Sequence, residues 1–427
     1  MFGAMQDVPL LVNRILDHAL VNHPEREIVS RLVEGNIHRE TYADAHLRSR
    51  KLSQALQALG FGQGDVLATL AWNTHRHFEA WYGITGIGGV YHTLNPRLFA
   101  EQLSYIINHA GDKVIFTDLS FVPILEGIQK EIPNVKGFII MTDAAHMPET
   151  TLSNAHCYED LIDGQSGDFN WVEVDERAPC GMCYTSGTTG NPKGVCYTHR
   201  SNVLHTLVGN SSDVMGIRSV DSLLPVVPLF HANAWGLAFC APAVGAKIVN
   251  PGPNMDGESI YQLLTEEKVT FTAAVPTVWL MLMQHLETNK LDLPDLETVT
   301  IGGSAVPRVM LEKFERDYGV SVKHAWGMTE TSPIGTVGGP TGDWEQLTFD
   351  QKVEKTMKQG RPIFGVELRT VDLDDPSKVL PRDGESSGAL HIRGPWVVKR
   401  YFKAEEDAID ADGWFNTGDV AVLHPDG

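Results

Sequence analysis

The sequence predicts an α/β protein of mainly parallel sheets covered by helices, followed by a small antiparallel or barrel-like unit. Three observations carry this. Helical and strand-like runs alternate through residues 1–340. Strand-like runs in the second half of that region end just before motifs rich in glycine and polar residues, where open α/β sheets place their ligands. Beyond residue 341 a polar stretch leads into short alternations of Val, Leu or Ile with polar residues. A chain of 427 residues also exceeds one ordinary core and implies two or three packed subdomains.

In order, Leu10, Leu11, Ile15, Leu16, Ala19 and Leu20 recur at helical spacing and stop at Pro24, giving an opening amphipathic helix. Residues 41–59, 75–86 and 99–110 read as helices, and 65–70, 90–93 and 114–117 as strands between and after them. Residues 180–185 and 195–197 are short apolar or β-prone runs flanking a loop, with a helix expected from an N-cap at Ser201. A second α/β series spans 222–334, with strands at 269–274, 298–301 and 321–325. Residues 343–360 form a polar helical bridge. Residues 361–401 alternate around turns such as Pro381-Arg382-Asp383-Gly384.

Composition excludes several functions. Apolar residues are 42% and charged residues 21%, without low-complexity segments or solenoid repeats, so the chain reads as soluble and globular. A net charge of −20 argues against nucleic-acid partners and anionic membranes, which need extended basic surfaces, but not against a bound nucleotide. The most apolar run, 235–249, is broken by Pro242 and Lys247 and is shorter than the roughly 20 residues of a membrane span. Asp7 and Arg14 fall where a signal peptide needs its apolar centre, so export is not expected. Five cysteines, an odd number, suit a reducing cytoplasm. Cys180 and Cys183, three apart on a strand, face opposite ways and read as core residues. The seventeen histidines show no zinc-binding spacing.

One loop carries most of the functional signal. Tyr184 and Thr185 precede Ser186-Gly187-Thr188-Thr189-Gly190-Asn191-Pro192-Lys193-Gly194, a run of hydroxyls, glycines and one lysine. Glycines let backbone N–H groups approach phosphate oxygens, hydroxyls add donors, and the lysine adds a mobile point charge. It is not a Walker loop: Pro192 stands where the second glycine belongs, and Gly194 replaces the Mg²⁺-binding Ser/Thr. Four further motifs follow: Pro228-Leu229-Phe230-His231-Ala232-Asn233-Ala234-Trp235-Gly236, Gly302-Gly303-Ser304-Ala305-Val306-Pro307, Trp326-Gly327-Met328-Thr329-Glu330, and Trp414-Phe415-Asn416-Thr417-Gly418-Asp419.

These five motifs, in this order, resemble those of the adenylate-forming superfamily of acyl-CoA synthetases, luciferases and peptide-synthetase adenylation domains, over nearly the whole chain. The resemblance implies a large N-terminal domain with two α/β subdomains in residues 1–340. Residues 341–427 would be a polar bridge and small distorted β-barrel ending before a hinge, the mobile C-terminal domain lying outside this sequence. It assigns the loop, from Thr185 through Ser186, Gly187, Thr188, Thr189 and Gly190 to Lys193, to the β- and γ-phosphates of ATP. Thr329 would reach the α-phosphate and Glu330 would ligate Mg²⁺. Trp326 would stack on adenine, and Asp419 would bind the ribose hydroxyls. Gly303, Ser304, Ala305, His324, Ala325, Gly327 and Met328 complete the nucleotide side. His231 would border the acyl pocket and the thiol tunnel, with Trp235, Gly302, Gly303, Trp326, Gly327, Pro333 and Ile334 lining the acyl path. Glycine at 327 would leave that pocket open, while Trp235 partly refills it.

The chemistry implied is activation of a carboxylic acid. A carboxylate would have to expel oxide, so ATP first converts it to a mixed anhydride, acyl-AMP, with loss of pyrophosphate. Such a reaction needs positioning and neutralisation of phosphate charge. The leading expectation is an acid:CoA ligase for a short or medium-chain acid, resembling bacterial medium-chain and 3-methylmercaptopropionate ligases. ATP, Mg²⁺ and CoA are its cofactors and co-substrates. The alternatives are an adenylation enzyme loading a carrier protein and a non-catalytic nucleotide-binding protein. Partners are small molecules, with nothing in the sequence deciding between a single chain and a homodimer.

Overall fold

A computed structural model of the chain describes residues 3–185 and 190–427. One sheet of nine strands runs in the spatial order Arg361–Pro362, Ile334–Val337, Ser321–Gly327, Thr298–Ile301, Phe271–Ala274, Ser222–Pro225, Lys247–Asn250, Glu27–Arg31 and Ile37–Thr41. A second, of seven, runs Ala155–Cys157, Gly137–Ile140, Val114–Thr117, Val66–Leu70, Val90–Thr93, Pro179–Tyr184 and Gly194–Thr198. Interior neighbours are parallel and antiparallel pairs sit at the edges. Strands buried on both faces explain why the sequence shows short continuous apolar runs there rather than alternation.

Helix His75–Gly86 lies between the sheets with every residue buried. Trp81 stacks on Tyr91 of the seven-stranded sheet, centroids 4.4 Å apart. The His75 backbone N–H donates to Ser30 Oγ of the nine-stranded sheet at 2.9 Å. Its polar side chains are buried at the cost of an ion-pair network, in which Arg48 binds Glu79 and Glu159 while Arg76 binds Glu34 and Glu159. Helix Phe349–Met357, capped by Thr348 with Gln351, is the polar bridge. It leads to a three-stranded antiparallel sheet of Glu367–Val371, Ser387–Arg393 and Phe415–Val422.

Two local readings change. The helix expected from Ser201 begins at His199. Thr198 is its cap, with Thr198 Oγ1 accepting the Ser201 N–H at 3.0 Å and Ser201 Oγ accepting the Thr198 N–H at 3.0 Å. Both residues suit a cap, and the reciprocal pair places Ser201 three positions inside. The hairpin Glu27–Arg31 with Ile37–Thr41 was not anticipated; it closes the far edge of the nine-stranded sheet. Among the described residues, no helix is long and apolar enough to cross a membrane.

Candidate active site

The phosphate-type loop joins strand Pro179–Tyr184 to its antiparallel neighbour Gly194–Thr198, the strand-to-strand connection the sequence predicts. Thr185 closes its base: the Thr185 N–H donates to the Lys193 carbonyl at 3.0 Å, and the Lys193 N–H donates to Thr185 Oγ1 at 3.2 Å. Ser186, Gly187, Thr188 and Thr189 lie outside the described residues. Gly190 is exposed with a φ of +151°, and a Cβ there would meet nothing among the described residues. The loop's return is tied to the second half of the chain, because the Phe402 N–H donates to the Gly194 carbonyl at 2.8 Å. A Cβ at Gly194 would sit 3.0 Å from the Tyr184 ring and 3.1 Å from Phe402 Cβ. This is a close approach that a side chain could enter only by displacing its neighbours slightly.

That tie brings Tyr401 under the loop. The Lys193 ammonium lies 4.9 Å from the centroid of the Tyr401 ring, within cation–π range. The Tyr401 hydroxyl donates to Glu330 Oε1 at 2.7 Å. Burial and the adjacent Glu330 carboxylate hold the phenol well above its usual pKa, so it remains a donor. Glu330 is 6% exposed, on the short turn Thr329–Thr331 that follows strand Ser321–Gly327. Its carbonyl accepts the Val398 N–H at 2.8 Å, and the Thr329 carbonyl accepts the Tyr197 hydroxyl at 2.8 Å. Sequence reading missed Tyr401 because its partners lie far away in the chain and no motif contains it.

Two cavities lie beside this turn; Thr329 lines the smaller, and Glu330 lines neither. The larger, about 760 Å³, is lined by Gly303, Ser304, Ala305, His324, Ala325, Trp326, Gly327, Met328 and Asp419. The Trp326 indole N–H donates to Asp419 Oδ2 at 3.0 Å, joining two motifs that are 93 residues apart. His324 is buried, its Nδ1 3.1 Å from the Thr356 carbonyl, and burial lowers its pKa. The smaller cavity, about 60 Å³, is lined by His231, Trp235, Gly302, Gly303, Thr329, Pro333 and Ile334, with Met215 added. The Lys323 ammonium donates to the carbonyls of Val214 and Met215, at 2.6 and 3.1 Å, which holds Met215 in the wall. Gly303, Ala325, Trp326, Gly327 and Met328 line both cavities.

The small cavity's wall is strained. Ala232, Asn233, Ala234 and Trp235 have φ between +44° and +57°, and Gly236 +80°, a complete left-handed turn. Each non-glycine residue there costs roughly 1–2 kcal/mol. Surrounding contacts hold it. A Cβ on Gly236 would lie 2.8 Å from the His205 ring, and His205 Nε2 accepts the Ile334 N–H at 3.2 Å. Gly302 makes room for Trp235: a Cβ would stand 3.1 Å from Trp235 Cη2 and 2.8 Å from the Ala325 carbonyl oxygen. His231 is exposed, immediately before the turn.

Gly327 differs from expectation. A Cβ there would collide with the Pro333 carbonyl oxygen and lie 2.8 Å from the Pro333 carbonyl carbon. The direction a side chain would take is filled by the backbone of the next strand, so this glycine serves a close main-chain approach. It still lines the smaller cavity, as expected, but through its backbone and not through space left for a side chain.

The sequence profile of the family described as AMP-binding enzyme matches residues 16–402. A medium-chain-fatty-acid–CoA ligase from Ectopseudomonas oleovorans is 44% identical over 427 residues, 100% of this chain and 78% of the relative. A 3-methylmercaptopropionyl-CoA ligase from Ruegeria lacuscaerulensis is 43% identical over 100% of this chain and 79% of the relative. The solved structure of the anthranilate CoA ligase AuaEII, in complex with anthranoyl-AMP, superposes with a TM-score of 0.86 at 22% identity, over 99% of this chain and 78% of that one. The profile match and the two relatives, taken with the motif order, establish that this chain belongs to the family of AMP-binding enzymes.

Proposed function

We propose that the protein is an AMP-forming acid:CoA ligase that activates a short- or medium-chain carboxylic acid with ATP and passes the acyl group to CoA. The observation that carries this reading is that the two cavities share one wall, Gly303 with Ala325 to Met328, beside the turn bearing Thr329 and Glu330. A nucleotide in the large cavity and an acid in the small one would meet there, which is what attack of a carboxylate on an α-phosphorus requires.

In this reading adenine stacks on Trp326 and the ribose hydroxyls donate to Asp419, which the Trp326 N–H already orients. Thr329 hydrogen-bonds the α-phosphate. Thr185 and Lys193 hold the departing pyrophosphate, with Ser186, Gly187, Thr188, Thr189 and Gly190 contributing to the same loop. Glu330 fits a Mg²⁺ ligand: it is a nearly buried carboxylate whose Oε1 is held by the Tyr401 hydroxyl, leaving Oε2 for an ion. The ion would neutralise charge on the phosphate oxygens. His231 stands at the mouth of the acyl path, where the acyl-AMP and the thiol of CoA must meet.

The smaller cavity, about 60 Å³, is far tighter than the larger and has Trp235 in its wall. That supports an acid with a short or medium chain, of which 3-methylmercaptopropionate is one. The test is a screen of straight-chain and thioether acids, following acid-dependent AMP, pyrophosphate and acyl-CoA. AMP formation greatest for short to medium acids, with CoA consumed, supports the reading. ADP as product, or nucleotide binding without acid-dependent AMP, contradicts it. Acyl-AMP formed but passed only to a carrier-protein thiol would assign the alternative acceptor.

A further inference from the structure

At the opposite edge of the nine-stranded sheet, away from both cavities, four carboxylates meet two guanidiniums: Glu34, Glu40, Glu79 and Glu159 surround Arg48 and Arg76. Protons balance part of this excess of carboxylates, since burial raises the Glu40 carboxyl to about 7 and that of Glu79 to about 8. Part of this cluster also lacks hydrogen-bond partners. Among the described residues, Glu40 Oε1 and both ring nitrogens of His75 have none, although His75 is fully buried. The nearest carboxylate to His75 Nε2, Glu159 Oε1, is 4.0 Å away, beyond hydrogen-bond reach. Native folds seldom strand buried polar atoms, and one that does so calls for a specific occupant.

The donors converge. His38 and Glu40 are two apart on strand Ile37–Thr41 and so project to the same side. His75 opens the buried helix, and its ring stacks on that of His38 with centroids 3.9 Å apart. One ligand atom from each of the three lies within 4.8 Å of the other two.

We propose that His38, Glu40 and His75 bind a first-row transition-metal dication of the zinc class, independently of the ligase chemistry. Two imidazoles and one carboxylate form a donor set suited to zinc, whereas Mg²⁺ and Ca²⁺ take all-oxygen sites. A dication engages Glu40 Oε1 and a His75 nitrogen, both without partners among the described residues. Around a tetrahedral ion with bonds of about 2.0–2.1 Å the donors stand closer than in this structure. Each imidazole lone pair also lies in its ring plane, so two stacked rings cannot both face one ion. Loading therefore unstacks His38, whose side chain is 32% exposed against 3% for Glu40, and turns it inward. Water enters from the same side as the fourth ligand. The ion then fastens the edge hairpin to the helix between the sheets.

The test is titration of chelator-treated protein with Co²⁺, read by the visible absorption of a four-coordinate cobalt site and by displacement with Zn²⁺. One Co²⁺ per chain, displaced by Zn²⁺, is expected. His38→Gln changes a rim residue and leaves the core untouched, and Glu40→Gln keeps the shape of the site. Each is expected to weaken Co²⁺ by more than the roughly 10–100-fold typical of losing an outer-shell partner. Glu330→Gln, at the other end of the sheet, is expected to leave the cobalt spectrum unchanged. The proposal is overturned if equimolar Co²⁺ does not bind, if His38→Gln and Glu40→Gln bind as wild type, or if Glu330→Gln abolishes the signal. The cluster would then be balanced by protons and water.

Discussion

The two cavities differ as a platform differs from a clamp. The larger is walled by strand ends and by glycines, Gly303 and Gly360 among them, whose positive φ carries no Cβ penalty, and is open at about 760 Å³, as a preformed nucleotide site would be. The smaller, about 60 Å³, is bounded by a left-handed turn of four non-glycine residues propped from behind by His205. Strain is kept on one side of a shared wall. Substitutions on the nucleotide side should therefore change binding and chemistry with little effect on the fold, whereas those on the acyl side should couple selectivity to stability.

The largest effect is expected at the junction. Glu330→Gln keeps the Tyr401 hydrogen bond but removes the charge proposed for Mg²⁺, so acid-dependent pyrophosphate exchange should fall on the order of 100-fold. The melting temperature should stay near wild type, and added Mg²⁺ should recover part of the rate. Normal Mg²⁺ dependence would remove Glu330 as the ligand and leave the junction without its main charge.

Acid should strike the clamp next. Burial lowers the His205 pKa from 6.5 to about 4, and its Nε2 must stay unprotonated to accept the Ile334 N–H. The folded value lies below the unfolded one. The neutral ring therefore stabilises fully above pH 6.5, and this contribution is lost as pH falls toward 4, up to roughly 3 kcal/mol at 1.36 kcal/mol per unit. Denaturant titrations from pH 7 to 4 should show a shallower decline for His205→Gln, whose side chain does not charge. Parallel declines would place the acid sensitivity elsewhere, with His77 and His199, lowered to about 4 by the same cause, as the alternatives.

Gly327→Ala tests the shared wall itself. The methyl meets the Pro333 carbonyl, and overpacking of this kind costs about 1–3 kcal/mol. Stability should drop, with acid and ATP affinities weakened together. A variant of normal stability but altered chain-length profile would restore the reading of Gly327 as a door to the acyl path. The smallest effect separates the cavities most cleanly. Trp235→Ala should move the optimum toward longer acids, by about 1–3 kcal/mol in kcat/KM for each methylene accommodated, with KM for ATP unchanged. A shift in ATP affinity alone would break the division of labour.

What the sequence disclosed follows from locality. Helices 41–59 and 75–86 and the strands at 90–93, 114–117 and 298–301 were legible within a residue or so, because caps such as Thr41 and short apolar runs are local signals. Trp326, Thr329 and Glu330 stood out because they are close in sequence, at the end of one strand and on the turn that follows it. Tyr401, His205 and Met215 were not. Each owes its place to a partner brought close only by the sheets, and a lone Tyr, His or Met has no pattern of its own. Gly327 lines the smaller cavity as expected, but the close approach of the Pro333 carbonyl was not legible, since volume at a position says nothing about the direction in which its Cα–H bond points.

Helix His75–Gly86 has a consequence for how the molecule comes apart. Because it is buried along its whole length and touches both sheets, its loss opens the core the two sheets share, while each sheet keeps a second hydrophobic cluster on its other face. The helix thus couples the opening of one half to that of the other. Amide hydrogens along this helix should exchange with deuterium only through global opening, at the slowest rates in the protein, while those of the three-stranded sheet at residues 367–422 are free to exchange through smaller, local excursions.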